Sequence, residues 1–190
     1  MKNFKLLTVL ILLALLFSGF SFGNFGDNDN ERRSDRIAEG KSALRLLFKT
    51  EPQAKKEVAD AYGFATFKNY GMSMMMMSAD GGRGLAYDRK NDKITYMNMA
   101  SGGMGMGLGA KEYFSVFIFK NAKVYNDFIE EGWEANTEID ASLKTKDDGE
   151  ATNESHTVRK GIKLYKVTKN GAIMQVSLHG TKYWKCKDLN

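Results

Sequence analysis

Apolar residues near the N-terminus of this chain recur with a helical spacing. Between residues 31 and 49 they fall at intervals that place side chains on one face of an α-helix. The positions are Ile37, Leu44, Leu47 and Phe48. Thr50 is suited to cap a second helix with Pro52 in its first turn, and this helix is predicted to run to about Tyr62.

Beyond residue 62, short runs with strand character dominate. They lie at residues 64–67, 72–78, 85–88, 93–99 and 113–119, with turn signals at Asp80-Gly81-Gly82 and Asn91-Asp92. One helix interrupts them, with Asn121 suited to cap its start and Gly132 to end it. Its predicted inward residues are Val124, Tyr125, Phe128 and Ile129.

The C-terminal part returns to strands. Residues 137–143 read as a strand and residues 144–156 as an exposed polar loop, and Asn170-Gly171 suits a two-residue hairpin turn. After that turn Ala172, Met174, Val176 and Leu178 share one face. The patterns together predict an α+β fold: a curved, largely antiparallel, barrel-like sheet with two N-terminal helices and one central helix.

Glycine alternates with larger residues just before the strand at 113–119. Gly103, Gly105, Gly107 and Gly109 are interleaved with Met104, Met106 and Leu108. Period two is strand geometry, so one face is apolar and the other is bare backbone. Such a row indicates a sharp bend or the close approach of another element.

This order of elements resembles the SYLF domain, a lipid-binding family. The family's final hairpin is similar to Tyr165-Lys-Val-Thr-Lys-Asn-Gly171, followed here by Ala172-Ile-Met-Gln-Val-Ser-Leu-His-Gly180. The resemblance covers roughly residues 35–187. It implies lipid binding through the N-terminal helical region and a basic surface.

The first residues have the character of an export signal. Lys2 and Lys5 precede an apolar run at residues 6–17, and Ser21-Phe22-Gly23 offers small residues for cleavage. We therefore expect a signal peptide at 1–23, a linker at 24–30 and a single domain at 31–190, in a periplasmic or secreted protein peripheral to a membrane. The alternative is an anchor that stays attached, because the apolar stretch to Phe22 approaches the roughly 17 residues that can span a bilayer.

Charge and cysteine content narrow the function classes. Without Lys2 and Lys5 the chain has 26 basic and 23 acidic residues, a net charge of +3, which is too small to argue for nucleic acid. Cys186 is the single cysteine, so no internal disulfide can form.

No catalytic motif emerges from the residues. Gly40-Lys41-Ser42 ends like a phosphate-binding loop, but Asp35 stands where that motif requires glycine. His156 and His179 are the only histidines and lack a metal-ligand spacing. We therefore predict a non-enzymatic protein with no cofactor and no metal site.

The methionines allow two interpretations. Nine of the eleven lie between Met72 and Met106. Thioether sulfur is a ligand for Cu(I) or Ag(I). Methionine also fills gaps in a curved core, and core packing is the favoured interpretation.

The predicted first helix carries the candidate binding site, a set of six cations. They are Arg32, Arg33, Arg36, Lys41, Arg45 and Lys49. Such a helix can lie at a lipid interface with its cations on anionic headgroups, or it can pack on the sheet with solvated charges. The SYLF resemblance favours the first interpretation.

These observations predict a module that binds anionic phospholipid at a bacterial envelope membrane. The alternatives are an envelope structural or protein-interaction domain that contacts other envelope proteins, and a methionine-based Cu(I)- or Ag(I)-binding protein. The oligomeric state stays open.

Overall fold

The computed structural model describes residues 28–75, 77–103, 107–135, 156–168, 171–172 and 180–190. Its helices are α1 (Asp29–Thr50), α2 (Ala54–Asp60) and α3 (Ala122–Glu130). Its long strands are β1 (Gly63–Met75), β2 (Met77–Asp88), β3 (Lys93–Gly103) and β4 (Gly107–Phe119). Its short strands are β5 (Trp133–Ala135), β6 (His156–Arg159), β7 (Ile162–Thr168), β8 (Gly171–Ala172) and β9 (Thr181–Lys185).

All of these strands belong to one antiparallel sheet. The order across it is β5-β9-β3-β2-β1-β4-β7-β6, and β8 also pairs with β7. This order has two ends, so the described strands form an open, curved sheet. The predicted fold class, α+β with a curved antiparallel sheet, is confirmed. Among the described residues, no helix combines the length and the hydrophobicity needed to cross a bilayer.

An aromatic core fills one face of the sheet, which we call the inner face. α3 covers this face with Tyr125, Phe128 and Ile129. Phe128 packs against Phe117 and Phe119, with ring centroids 5.2 and 4.9 Å apart. Large aromatic side chains bury much apolar area, so this core contributes strongly to stability.

The opposite face, the outer face, carries the other two helices. Ala54, Val58 and Ala61 of α2 pack near the end of the sheet where β1 begins and β4 ends, which we call the lower end. α1 crosses the middle of the outer face, where Ala43 and Leu47 join the same apolar cluster. Toward the other end of the sheet, the outer face exposes Tyr70, Met72, Ala79, Ala100 and Ala110.

The buried face of α1 differs from the predicted apolar stripe. Its buried residues are Arg36, Gly40, Ala43 and Leu47. Ile37, Leu44 and Phe48 are half-buried at its flanks. A Cβ at Gly40 would lie 2.8 Å from Thr66 Oγ1, so the small residue lets the helix approach the sheet closely.

Three local predictions were wrong. Thr50 is the last residue of α1 and donates to Leu46 O at 3.0 Å, so it does not cap α2. Residues 64–67 and 72–75 belong to one strand, and the chain turns into β2 within the predicted run at 72–78. The predicted turn Asp80-Gly81-Gly82 lies inside β2.

Packing explains why glycine stands in the middle of β2. A Cβ at Gly82 would collide with Asn69 Oδ1, and a Cβ at Gly84 would collide with the backbone oxygen of Thr66 and with Phe67. These glycines therefore allow side-chain and backbone atoms of β1 to approach β2 closely, and in the sequence Gly82 resembles a turn residue.

Other predictions are confirmed where the structure describes them. The β2–β3 turn contains Asp92 at φ 51°, a conformation that Asn and Asp tolerate. Asn121 Oδ1 accepts from Val124 N at 3.1 Å and begins α3, which is followed by Gly132 at φ 71°. One further prediction was wrong, because Gly171 pairs with Thr168 in a strand and is not a turn residue.

Several predicted features lie outside the described residues. These are the signal peptide, most of the linker, the Gly/Met positions 104–106, the strand at 137–143, most of the loop at 144–156, Asn170, and positions 173–179.

Candidate functional site

The six predicted cations of α1 lie at three depths. Arg36 is buried, Arg32 and Arg33 are partly buried, and the remaining three are exposed. The exposed three, Lys41, Arg45 and Lys49, are spaced four residues apart and therefore form one row along the helix. We call this row the basic strip.

The charge of the basic strip is not neutralised by neighbours. Lys41 and Lys49 have no hydrogen-bond or ion-pair partner among the described residues, and Arg45 donates to Ser42 Oγ at 2.8 Å. No acidic residue occurs between positions 40 and 50. Lys49 lies in the last turn of α1, where a cation also interacts favourably with the helix dipole.

Half-buried apolar side chains flank the basic strip. Leu44 and Phe48 lie on one side and Leu46 on the other. Lys55, an exposed residue at the start of α2, adds a further cation close in sequence. The C-terminal half of α1 therefore presents cations beside partly exposed aliphatic and aromatic surface.

The N-terminal half of α1 uses its cations inside the molecule. Arg32 Nη1 pairs with Asp29 at 3.0 Å, and its Nη2 lies 4.0 Å from Asp188. Arg33 Nε donates to Leu189 O at 3.1 Å. These contacts connect the beginning of α1 to the end of the chain.

Arg36 is the most deeply placed of the six, with 6% of its surface exposed. Its guanidinium donates to Met97 O at 2.7 Å, Gly84 O at 3.3 Å and Asn98 Oδ1 at 3.0 Å. A fourth, weaker contact reaches Cys186 Sγ at 3.7 Å. Burial lowers the pKa of Arg36 from its ordinary value, but an arginine stays protonated in proteins. Arg36 therefore fixes α1 on the sheet and is removed from the predicted lipid-binding set.

The C-terminal segment strengthens this attachment. Leu189 is buried against the cluster that contains Leu85 and Tyr96. Asn190 donates to Tyr96 O at 2.8 Å and accepts from Tyr96 N at 2.8 Å. We call these contacts of Leu189 and Asn190 the C-terminal clamp. The sequence did not predict the clamp, because no local pattern distinguishes a docked C-terminus from a free one.

A line of charged residues follows the upper edge of α1. Glu39 accepts from Arg83 Nε and Nη2 at 3.0 and 2.9 Å, and it lies 3.7 Å from Lys68 Nζ. Lys68 also lies 3.7 Å from Glu112. We call Glu39, Arg83, Lys68 and Glu112 the charged seam. Because its charges pair with one another, the seam contributes little net charge to the outer face.

Beyond the charged seam lies a bare apolar surface, the upper patch. It consists of Tyr70, Met72, Ala79, Ala100 and Ala110, all of them exposed. Met72 is 51% exposed and Tyr70 38%. The sequence carried a signal for this surface, because residues 70–79 and 97–110 contain no charged side chain.

The upper part of the inner face is polar. Tyr113 donates to Asp80 Oδ2 at 2.9 Å, and Lys111 Nζ lies 3.5 Å from the same oxygen. Lys166 Nζ lies 5.4 Å from the centre of the Tyr113 ring, and burial lowers the pKa of Lys166 to about 8. Asn69 Nδ2 donates to Ser115 Oγ at 3.0 Å. These groups satisfy much of one another's polarity beside the aromatic core.

One cavity of about 460 Å³ lies near the lower end of the sheet, beside α2. Its walls include Glu57, Lys163, Lys120 and Ile118. Glu57 is held by Lys163 at 2.5 Å and by Tyr165 Oη at 2.8 Å. These side chains form an internal ion pair and do not resemble a nucleophile with its base.

The methionines divide between core and surface. Met97 and Met99 are buried in the inner core, which confirms core packing for these two. Met72 is exposed and is not core. In the part of the chain that the structure describes, no three His, Cys, Asp or Glu side chains converge as metal ligands.

The fold and this surface define an α+β protein whose helix-covered sheet presents a row of exposed cations. No family model matches the chain. It is 34% identical over 148 residues to Beta cell expansion factor A of Aeromonas veronii, which makes the two proteins homologous. The matched part is 78% of this chain and 55% of the relative, so the chain spans about half the length of the curated relative that it matches.

Proposed function

We propose that this protein is a non-enzymatic, SYLF-like module that binds anionic phospholipid at a membrane surface through the C-terminal half of α1. The observation that carries the proposal is the basic strip. Lys41, Arg45 and Lys49 point away from the sheet in one row, with no neutralising carboxylate in their stretch of helix.

The physical argument is electrostatic attraction combined with shallow apolar contact. Each well-placed Lys or Arg near an anionic membrane contributes about 1 kcal/mol. The strip therefore supplies about 3 kcal/mol, which corresponds to a factor of about 100 in affinity. Leu44 and Phe48 beside the strip are half-buried and can add contact with the boundary between headgroups and acyl chains.

The membrane in this proposal is that of a bacterial envelope, reached by a periplasmic or secreted protein. The homologue's name refers to beta cell expansion and names no ligand, so the lipid proposal rests on the surface of this chain and on the SYLF resemblance.

The test compares two variants with the same loss of charge. Lys41, Arg45 and Lys49 are changed together to Gln in one variant. In the matched control the exposed lysines Lys93, Lys120 and Lys160, which lie at the lower end of the sheet, are changed to Gln. Co-sedimentation is measured with vesicles of phosphatidylserine and phosphatidylcholine, and with phosphatidylcholine alone.

We expect wild type and control to bind the anionic vesicles alike, and the strip variant to bind about 100-fold more weakly. Purely zwitterionic vesicles should bind none of the three strongly. Equal losses in both variants would mean that total charge, and not the strip, determines binding. A wild type that binds no vesicle at any headgroup charge would reject the proposal in favour of contacts with envelope proteins.

A further inference from the structure

The upper patch is unusual for the exposed side of a sheet. Residues on a solvated sheet face are normally polar, yet the rows beyond the charged seam carry Tyr70, Met72 and three alanines. Register places these residues together. Met72 lies opposite Ala79 and Ala110, and Tyr70 lies opposite Gly81, which is itself opposite Ala100. The patch therefore spans the four long strands and is continuous.

The strand segments that carry most of the patch are uncharged, and charged residues lie at two of its borders, where Glu112 is opposite Tyr70 and Lys182 of β9 is opposite Ala100. Residues 70–79 and 97–110 form two uncharged stretches in a chain in which 27% of residues are charged. They come together at one end of the sheet, because Ser78 pairs with Gly103 and Met75 pairs with Gly107. A sheet end without charge meets the first requirement for contact with hydrocarbon.

Amphipathic side chains mark the border between the patch and the charged seam. Lys68 Nζ lies 5.2 Å from the centre of the Tyr70 ring. Trp184, 38% exposed, lies on the outer face of β9 opposite Asn98 and in the same row as Arg83 and Lys68. Tyr and Trp are enriched where protein surface passes from water into lipid, because their rings are apolar and their polar atoms stay hydrated.

We propose that the upper patch enters the interfacial region of an anionic bilayer, with Met72 as its deepest described side chain. This inference rests on the proposed lipid-binding function and adds a second, apolar contact to it. The patch and the α1 helix occupy the same outer face of the sheet, so a membrane that approaches this face can contact both.

Two other occupants fit the patch less well. A second copy of the chain would need about 800 Å² of contact on each partner for a stable dimer. Three of the five patch residues are alanines, which offer little area. A soluble partner protein would be expected to find polar groups all around an apolar centre, whereas Glu112 and Lys182 border this patch on two sides and the chain from Met72 to Ala79 carries no charge.

The experiment places a fluorescent probe in the patch of the full chain. Trp133 and Trp184 are changed to Phe, and Met72→Trp is added as the single tryptophan. Asn126→Trp in the same background is the matched control, since Asn126 is exposed on α3, on the other side of the sheet. Emission is recorded with and without vesicles of phosphatidylserine and phosphatidylcholine, some of which carry brominated acyl chains.

We expect tryptophan at position 72 to emit as a hydrated residue in buffer. Anionic vesicles should shift its emission to shorter wavelength, and brominated chains should quench it, while tryptophan at 126 should change little. The inference fails if protein that co-sediments with the vesicles shows no shift at position 72. It also fails if position 72 already emits at short wavelength in buffer, because another part of the chain or a second copy would then cover the patch.

A second variant separates the contribution of the upper patch to vesicle binding from that of the basic strip. Met72→Asp in the otherwise unchanged protein should keep its circular dichroism and melting temperature, because the side chain is half exposed. We expect it to bind the same vesicles about tenfold more weakly. Affinity equal to that of wild type would overturn the inference and leave the basic strip as the sole contact. A wild type that binds no vesicle would instead reject both proposals.

Discussion

The two halves of α1 carry the same number of predicted binding cations and use them in opposite ways. Arg32, Arg33 and Arg36 in the first half contact Asp29, Asp188, Leu189 and the carbonyl groups of two strands. Lys41, Arg45 and Lys49 in the second half face solvent. A count of basic residues on a helix therefore does not measure the charge that it offers to a membrane.

The choice of residue in each half follows from this difference. The first half has only arginine, whose planar group can donate several hydrogen bonds in fixed directions. Arg36 uses this property to reach β2 and β3 at the same time. The second half carries two lysines and one arginine, and a point charge is sufficient for attraction to headgroups.

The largest effect that would test this comparison is the loss of Arg36. Arg36→Ala leaves the carbonyl groups of Gly84 and Met97 buried without their donor and opens a cavity beneath α1. We expect the free energy of unfolding to fall by about 4 kcal/mol. Urea titration followed by circular dichroism measures it.

Arg36→Lys is the control, because it keeps one charge and loses the fork of donors. It should lie between wild type and Arg36→Ala. If Arg36→Ala unfolds at the wild-type urea concentration, Arg36 does not hold the helix on the sheet.

Disruption of the C-terminal clamp should give the next largest loss of unfolding free energy. Leu189→Ala removes a buried side chain that packs beside the first half of α1, and we expect a loss of about 2–3 kcal/mol in unfolding free energy. Hydrogen exchange of α1 amides should rise more in the first half than in the second. Uniform acceleration over the entire helix would show that the two halves are not attached independently.

Salt should weaken the membrane contact made by the exposed second half of α1 and leave the buried contacts of the first half unchanged. Raising the salt concentration from about 0.1 M to about 1 M shortens the screening length from about 10 Å to about 3 Å. Binding of wild type to anionic vesicles should fall at least about tenfold, while the melting temperature should stay nearly constant because the Arg36 contacts are buried. Salt-independent binding would mean that apolar contact alone holds the protein on the membrane.

The sequence predicted those elements whose determinants are local. The bounds of α1 and α3 follow from helical spacing and from the Asn121 cap, and the β2–β3 turn follows from Asn91-Asp92. Each of these signals acts within a few residues, so no knowledge of the remaining fold is required.

Long-range contacts account for what the sequence could not predict. The partners of Arg36 lie 48 and 61 residues away, so a helical pattern assigns this polar residue to the solvent side. Gly82 appears as a turn position until the neighbouring side chain of Asn69 is known. Three of the six candidate residues are exposed, as membrane contact requires, whereas the burial of Arg36 and the partial burial of Arg32 and Arg33 depend on the fold.

The central claim is that the second half of α1, and not the first, binds the membrane. It is tested most directly with two double variants of equal charge. Arg32→Gln with Arg33→Gln changes the first half, and Arg45→Gln with Lys49→Gln changes the second. Dissociation constants for the same phosphatidylserine-containing vesicles are compared at one salt concentration, with melting temperatures as the fold control.

The account predicts that the first pair binds within about twofold of wild type and that the second pair binds about 30-fold more weakly, at about 1 kcal/mol for each cation. Equal losses for the two pairs, or a larger loss for Arg32 and Arg33, would contradict it.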